Sequence, residues 1–190
     1  MKTRCFGTGE PLYERYHDEE WGHPLPDSPD ERELFERLSL EGFQAGLSWL
    51  TVLRKRDTLR AAFADFVPQR VAAFTEDDVA RLMGDPGIIR NRAKIKATIN
   101  NAATLIELHE SGQRLSDIVA AYAPPRSSSP PASLAEVPTA TEQSQALSRH
   151  LKKLGFKFVG PTTLHALQQA IGLADGHVAG CWLAAAGSED

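Results

Sequence analysis

The sequence predicts an all-α protein, and two features of its patterning support that fold class. No stretch of the chain sustains the alternation of polar and apolar residues that marks a half-buried strand. Several stretches instead repeat apolar residues at helical spacing and begin with residues that cap helices. The chain has 190 residues, of which 42% are hydrophobic, and this composition suits one globular domain over residues 1–190.

The predicted helices are placed by apolar periodicity and by the residues at their starts. Ser28 is interpreted as the N-cap of the first helix, with Pro29 at its first position and Glu31 closing a capping box. Ser48 caps the second helix, and a capping box that begins at Thr139 starts a later one. Residues 1–27 show no such pattern and are expected to be irregular. The expected helices span about residues 29–41, 48–63, 75–83, 91–109, 116–122, 139–154 and 162–171.

A segment rich in proline and serine, residues 123–138, separates the last two predicted helices from the others. Proline has no amide donor and resists helix formation, so we expect a flexible or extended linker. This linker predicts two lobes within the single domain, over about residues 29–122 and 139–182.

Composition also excludes some classes of protein. The longest apolar runs are far too short to span a membrane, so no membrane partner is expected. The N-terminal residues lack the apolar stretch of a signal peptide, which favours an intracellular protein. The two cysteines lie near opposite ends of the chain, which argues against a disulfide framework.

The charge distribution leaves open whether the partner is a nucleic acid. The net charge is −4 at pH 7, and residues 14–41 are strongly acidic. Three other segments are basic, at residues 54–60, 90–96 and 149–157. These segments could form a basic face on an acidic protein, or they could be three ordinary solvated helix faces. Charge alone favours neither interpretation.

The most informative stretch is LEGFQAGLSW at residues 40–49. Glu41 lies three residues after Leu38, so helical spacing turns its carboxylate toward the apolar side of the first helix. A carboxylate there is costly unless a cation or a donor meets it. An isolated glutamate would be expected to pair with an arginine or to reach the surface. Two glycines that allow close approach follow Glu41, and Trp49 adds an aromatic surface, so a functional role is favoured.

Four potential metal ligands lie near the two ends of the chain: Cys5, His17, His177 and Cys181. The last two are four residues apart, which places them on one face of a helix or turn. Two thiolates and two imidazoles would form a closed tetrahedral zinc site of the structural type. The spacing of the first two matches no standard zinc finger. On spacing alone, buried cysteines and hydrogen-bonded histidines are therefore the simpler explanation.

A third pattern is FKFVGPTT at residues 156–163, which resembles the helix-hairpin-helix motif of DNA-repair glycosylases. Its glycine lets the backbone approach a phosphate, and the amides at the start of the next helix can bind the anion. Such contacts fix the register on DNA without reading its sequence. An ordinary helix connection is the alternative, and Lys157 or Phe158 replaces the usual first hairpin glycine. The DNA-binding residues expected here are Gly160, Thr162, Lys152, Lys153 and Lys157.

Together these segments resemble the type I 3-methyladenine-DNA glycosylases of the helix-hairpin-helix superfamily. The similarity covers nearly all of the chain except residues 123–138 and the last residues. It implies a two-lobed, all-α helix-hairpin-helix glycosylase fold with the site in the cleft between the lobes. It also implies one structural zinc ion that joins the termini through the four cysteine and histidine residues. The segments that carry the resemblance are Arg4-Cys5, Tyr13, Tyr16-His17-Asp18, Glu20-Trp21-Gly22, LEGFQAGLSWLTVLRKR, GIIRNRAKI, EVPTAT, LKKLGFKFVGPTT, His177-Val178 and Cys181.

The resemblance implies that the protein flips 3-methyladenine out of alkylated DNA and hydrolyses its N-glycosidic bond, leaving an abasic site. The alkylated ring is cationic in DNA, so a carboxylate and stacked aromatic rings suit it. By the same resemblance, Glu41 is the catalytic residue, and Gly46 and Leu47 fill the gap left by the base. Core packing is the alternative for Leu47 and for the aromatic residues. The expected base-binding residues are Tyr16, Trp49, Tyr13 and Trp21, with Phe6 at a place where a tryptophan is usual.

The implied partner is double-stranded DNA that contains alkylated adenine, bound by a monomer in the cytoplasm of a prokaryote, at the nucleoid. Thr162 stands where bifunctional relatives carry the lysine that forms a Schiff base, so no lyase step is expected. Asp175 stands where the wider superfamily carries a catalytic aspartate. Its neighbours also predict a turn, so we interpret Asp175 as a surface residue.

Two other functions fit the same residues. The chain could bind DNA without chemistry through the hairpin and the basic segments, or it could be a glycosylase for other alkylated purines. Glu41 favours an enzyme, because a protein that only binds DNA has no need of a carboxylate among aromatic residues.

Overall fold

The computed structural model describes residues 2–25, 31–126 and 129–184, and no strand occurs among them. The all-α prediction is therefore confirmed for these residues. Short 3₁₀ turns at Ala64–Phe66 and Leu134–Glu136 complete the regular structure. The helices are α1 (Pro11–Glu19), α2 (Arg32–Gln44), α3 (Trp49–Arg54), α4 (Arg56–Ala62), α5 (Pro68–Ala72), α6 (Glu76–Gly84), α7 (Arg92–Glu110), α8 (Leu115–Ala121), α9 (Glu142–Lys153) and α10 (Pro161–Ala170).

Helix α1 lies where the sequence predicted irregular chain, and that prediction is wrong. Pro11 occupies the first helical position, where its missing amide costs nothing. Only Tyr16 and His17 of this helix are buried. One short buried face gives too little apolar periodicity to reveal a helix, and the proline was the available signal.

The start of α2 differs from its prediction. The proposed cap at Ser28 and Pro29 falls outside the described residues, and the helix begins at Arg32 rather than at residue 29. Glu31 precedes it in the left-handed region, with φ 52°. Its carboxylate accepts hydrogen bonds from the backbone amides of Leu115 and Ser116 and so caps α8.

Two other predicted helix starts have different outcomes. Ser48 caps α3 as expected, because its hydroxyl accepts from the amide of Thr51. The predicted helix over residues 48–63 breaks at Lys55, so α3 and α4 are separate helices. The capping box predicted at Thr139 is wrong: Thr141 is the N-cap of α9, and its partner in the box is Ser144.

Helix α2 is the central element of the core. It packs against α3, α7 and α10, and every residue from Leu34 to Phe43 is buried. The buried apolar side chains form one contiguous cluster that extends along the chain from Leu34 to Ile171. The division into lobes over residues 29–122 and 139–182 stays a prediction. Within the described ranges, no helix combines the length and apolar character needed to cross a membrane.

Candidate active site

Glu41 is buried on α2 without a partner. Its residue surface is 5% exposed, and no donor among the described residues bonds its carboxylate. Burial raises its pKa to about 8, although the positive charge of Arg37 partly opposes this effect. The sequence left two ordinary alternatives for this glutamate, an arginine pair or a surface position. The structure displays neither of them.

Arg37 lies one helical turn before Glu41, but its guanidinium is engaged elsewhere. It donates to Glu33 at 3.0 Å and to the carbonyl of Ala170 at 3.3 Å, and Glu20 lies 3.4 Å away. These acceptors hold the cation toward α1 and α10 rather than on the Glu41 carboxylate. The carboxyl group of Glu41 is therefore free to bond a ligand.

Two aromatic rings of α1 lie near Glu41, and rings from α3 and the N-terminal segment pack against them. The pKa of Tyr13 and of Tyr16 is raised by burial and, next, by the negative charge of Glu41. The ring of Trp49 lies 5.4 Å from that of Tyr16, centroid to centroid, and its indole nitrogen is buried with no hydrogen-bond partner among the described residues. Phe6 packs against Tyr13 at 4.7 Å and against Trp21 at 4.8 Å.

Two polar groups without a hydrogen-bond partner among the described residues, the Glu41 carboxyl and the Trp49 indole N–H, thus lie near the Tyr16 ring. An unpaired carboxylate and an unpaired indole N–H are costly unless a ligand bonds them. The site is therefore suited to a flat, cationic molecule that carries donors and acceptors at its edge.

The loop after α2 projects away from the core. Gly46 adopts φ +82°, and nothing lies within 4 Å of a Cβ atom placed there. The side chain of Leu47 is 42% exposed, so core packing does not explain this residue. The Lys94 ammonium fixes the base of the loop by donating to the carbonyls of Phe43 at 2.8 Å and Ala45 at 2.6 Å.

The segment between α9 and α10 forms a second exposed turn. Phe158, which is 40% exposed, has φ 54°, a conformation that an aromatic residue rarely adopts. The residues on either side of it are held by side chains: Asn101 bonds the amide and the carbonyl of Lys157, and Ser148 bonds the carbonyl of Val159.

Helix α10 begins in this turn and has no side-chain cap. Gly160 is its N-cap residue, and Pro161 has no amide to satisfy. The amides of Thr162 and Thr163 therefore lack helical acceptors and can bind an anion. Lys157 precedes this site, and Lys152 and Lys153 are exposed at the end of α9.

The structure distinguishes the three basic segments from one another. The cations of residues 54–60 are engaged, for example Arg56 with Glu20 and Glu36. In residues 90–96, Lys96 pairs with Glu76 at 2.6 Å. Within the described chain, the lysines of residues 149–157 have no carboxylate partner. Only this segment supplies a cluster of cations that a polyanion could neutralise.

The four predicted metal ligands meet, although they come from both ends of the chain. Their ligand atoms all lie within 4.8 Å of one another. The Cys5 and Cys181 sulfur atoms each lie 3.5 Å from His177 Nδ1, and Cys181 Sγ lies 3.4 Å from His17 Nε2. Ideal zinc bond lengths give an S···N edge of about 3.6 Å in a tetrahedron, and these three distances match it.

Residues around this cluster orient its ligands. His17 Nδ1 lies 3.0 Å from the carboxylate of Asp18, which leaves Nε2 facing the sulfur atoms. Two hydrogen bonds from Arg4 hold the pKa of Asp18 well below its usual range. A carboxylate that fixes a ligating histidine in this way is a usual second partner of a metal site. Gly22 is required beside His177, because a Cβ atom there would lie 2.8 Å from Nε2.

Burial shifts the pKa values of two cluster residues. It raises the pKa of the Cys5 thiol to about 12, and it lowers the pKa of His177 to about 4, with the His17 and His23 imidazoles adding to that lowering. Burial therefore favours the neutral form of both side chains when no ion is bound.

The remaining predicted residue, Asp175, is exposed in non-helical chain after α10. It lines a cavity of about 340 Å³ together with Trp21 and Gln169.

A family model described as methyladenine glycosylase matches residues 6–184 of this chain. The chain belongs to the methyladenine glycosylase family. The identification made from the sequence is therefore confirmed, and the protein is a member of a family of enzymes. The match includes α2 with Glu41, the turn before α10 and three of the four cluster residues.

Named members of the family are similar over most of their length. DNA-3-methyladenine glycosylase 1 of Escherichia coli strain K12 is 49% identical over 90% of this chain and 91% of its own. DNA-3-methyladenine glycosylase of Haemophilus influenzae is 45% identical over 95% and 97%. A structure of 3-methyladenine DNA glycosylase I from Staphylococcus aureus, described as the structural basis of 3-methyladenine recognition, is 37% identical, with a TM-score of 0.86 over 95% of both chains.

Sequence reasoning missed the residues that hold these features in place, notably Lys94, Asn101 and Asp18. Lys94 and Asn101 are 7% and 4% exposed, on the face of α7 that continues to the buried Leu105. Polar residues at core positions of an amphipathic helix were the available signal, because each needs a partner when buried. Asp18 gave no signal beyond its place next to His17.

Proposed function

We propose that this protein is a DNA-3-methyladenine glycosylase that removes 3-methyladenine from alkylated DNA. The observation that carries the proposal is the buried Glu41, which has no hydrogen-bond partner among the described residues and lies near Tyr16, whose ring packs against Trp49. The names of the similar E. coli and H. influenzae proteins support this substrate, as does the S. aureus structure described for recognition of the same base. A protein that only binds DNA would gain nothing from an isolated buried carboxylate.

Base recognition rests on charge and stacking. Methylation at N3 makes the adenine ring cationic while it is joined to the sugar. The ring stacks on Trp49, with Tyr16, Tyr13 and Trp21 as further walls, and the Glu41 carboxylate accepts a hydrogen bond from the exocyclic amine. A bound cationic base also lowers the pKa of Glu41 and so favours its anionic form. Neutral adenine has no charge that would stabilise this anion.

The base reaches this site by leaving double-stranded DNA. The exposed Leu47, on a loop that turns at Gly46, enters the space that the base vacates. The amides that follow Gly160, with Lys152, Lys153 and Lys157, hold phosphates of the same duplex. One chain supplies all of these groups, so a monomer is sufficient.

Hydrolysis then needs no side chain to protonate the leaving base, because the base leaves as a neutral molecule. Water adds its oxygen to C1′ of the sugar, the C1′–N9 bond breaks, and its electron pair neutralises the cationic ring, which leaves as neutral 3-methyladenine. A proton is released to solvent, and an abasic site remains. Thr162 stands where an amine would form a Schiff base, so the reaction ends there without strand cleavage.

Cys5, His17, His177 and Cys181 are proposed to hold one zinc ion. Four protein ligands leave no open position for water, so the ion has a structural role and takes no part in the hydrolysis. It joins the N-terminal segment, which carries Phe6 and leads into α1, to the chain after α10.

The decisive experiment measures the bases released from DNA treated with a methylating agent. We expect release of 3-methyladenine and abasic sites without strand breaks. DNA binding without release would favour a non-catalytic binder. Release mainly of another methylated purine would favour a glycosylase of different lesion preference, and either result would overturn the proposal.

A further inference from the structure

Helix α7 contacts two exposed segments, the loop after α2 and the turn before α10, that are proposed to bind DNA. Near its N-terminus, Lys94 donates to the carbonyls of Phe43 and Ala45, at the end of α2 and the start of the loop that carries Leu47. Lys94 is 7% exposed and has no carboxylate partner among the described residues. A buried ammonium that bonds only backbone carbonyls at a helix C-terminus fixes the position of that terminus.

Two turns later, Asn101 performs the same task for the turn before α10. Its Nδ2 donates to the carbonyl of Lys157 at 2.9 Å, and its Oδ1 accepts from the amide of Lys157 at 2.7 Å. The pair imitates one rung of a β-ladder. It holds the residue before Phe158, whose left-handed conformation persists only where the surroundings determine it.

The two contacts are seven residues apart on one continuous helix, which corresponds to about 10.5 Å along its axis. Between them, Ala97 and Thr98 are buried, so this part of α7 is fixed against its neighbours. The exposed turn also lies close to α2, since a Cβ atom placed at Gly42 would come within 3.6 Å of Phe158 Cβ.

We propose that Lys94 and Asn101 are positioning residues, and that α7 sets the distance between the loop that replaces the flipped base and the turn that holds the phosphate. The proposal rests on the function given above. The phosphate contact fixes the register of the strand, and a misplacement of the loop by about 1 Å can reduce a rate by about 100-fold. With α7 as the spacer, the base that leaves the duplex arrives beside Glu41.

The test compares Lys94→Met and Asn101→Leu with Lys96→Met. Lys96 is the matched control, because it lies on the same helix but pairs with Glu76 at the surface. Three quantities are measured for each variant: single-turnover release of 3-methyladenine, affinity for duplex DNA, and affinity for free 3-methyladenine from tryptophan fluorescence. Free base needs the pocket but not the spacing of loop and turn.

We expect Lys94→Met to slow base release at least about 10-fold, with both affinities within about twofold of wild type. Asn101→Leu should weaken DNA binding by about 10-fold and reduce its salt dependence by about one phosphate contact, with free-base affinity unchanged. Lys96→Met should match wild type in base release and free-base affinity.

Two results would overturn the positioning role. One is base release at the wild-type rate in both variants. The other is a loss of affinity for free 3-methyladenine that equals the loss in the rate of base release. That result would mean that the two residues only support the base-binding site. If melting shows that a variant does not fold, Lys94→Gln and Asn101→Ser, which each retain a donor, replace it. Wild-type protein that releases no base would instead overturn the proposed function, and the positioning role with it.

Discussion

Arg37 lies one turn before Glu41 on α2, yet its guanidinium bonds Glu33 and the carbonyl of Ala170, and no donor in the described part of the chain reaches the Glu41 carboxylate. The positive charge of Arg37 is close enough to lower the pKa of Glu41. Its hydrogen bonds to other acceptors prevent it from forming an ion pair with Glu41. Glu41 lowers the stability of the folded protein, because ionisation of a buried carboxyl without a partner is unfavourable.

The first prediction concerns stability and pH. The carboxyl of Glu41 has a pKa of about 8 when folded and 4.5 as its ordinary value, so the folded state retains a proton that the unfolded state loses. The resulting stability is complete below pH 4.5 and is lost as the pH rises toward 8. Relative to Glu41→Gln, the free energy of unfolding of wild type should fall by about 1.4 kcal/mol per pH unit in this range.

Denaturant unfolding at several pH values measures this difference. Glu107→Gln, an exposed change on α7, is the control and should run parallel to wild type. Parallel curves for Glu41→Gln and wild type between pH 5 and 8 would show that Glu41 titrates normally.

The second prediction concerns recognition by Glu41. Glutamine keeps the size and one acceptor but removes the charge, so selection of a cationic base should suffer more than folding does. A hydrogen bond to a charged group contributes about 1.5–3 kcal/mol, which corresponds to a loss of roughly 10- to 100-fold in base release. Single-turnover release from methylated DNA tests this, with the melting temperature as control. Release at the wild-type rate, or a loss explained by unfolding, would make Glu41 a structural carboxylate.

The third prediction concerns the metal. Protein purified without chelator should contain one zinc ion per chain, and Cys5→Ala should lower the melting temperature because a closed site contributes directly to folding. Asp18→Asn keeps the shape but weakens the orientation of His17, and should reduce zinc affinity by about 10- to 100-fold. Metal analysis and chelator competition measure both effects. Metal-free protein that is as stable as the zinc-loaded form would exclude a structural zinc.

The fourth prediction concerns the DNA surface. A Lys152→Ala, Lys153→Ala double variant should bind duplex DNA more weakly, with a salt dependence reduced by about two phosphate contacts. The matched control replaces Arg92 and Lys96, which already pair with Glu76. Filter binding or fluorescence anisotropy over a range of salt concentrations gives the slopes. Equal slopes for the lysine variant and the control would place the DNA on another surface.

The sequence was sufficient where a short stretch determines its own structure or carries a specific pattern. Ser48 at the start of α3 is such a case, and so is Glu41 on the buried side of α2. The all-α class followed from periodicity alone. The spacing of Cys5 and His17 was uninformative, and the resemblance, rather than geometry, indicated a shared site with His177 and Cys181.

Contacts between segments far apart in the chain could not be predicted. Glu31 has the residue type of a helix start, yet it caps α8, which begins at Leu115. Lys94 looked like part of a basic segment, although its ammonium lies under the end of α2. In both cases the partner is a backbone group that tertiary packing brings near. The local sequence around Glu31 or Lys94 therefore could not predict the contact. The short helix α1 was missed for another reason. It is stabilised by packing against other segments, and its own sequence has too little apolar periodicity to indicate a helix.

The joining of Cys5 and His17 to His177 and Cys181 has a consequence for synthesis of the protein. A ribosome makes the first pair well before the second, because about 160 residues separate His17 from His177. Cys5 and His17 can therefore meet their partners only after the helices between them have been made. An interrupted chain that already includes α9 and α10 but lacks Cys181 would carry the turn proposed to bind phosphate, and its lysines, without the completed cluster. Under the proposed function, such a fragment would bind DNA without releasing a base.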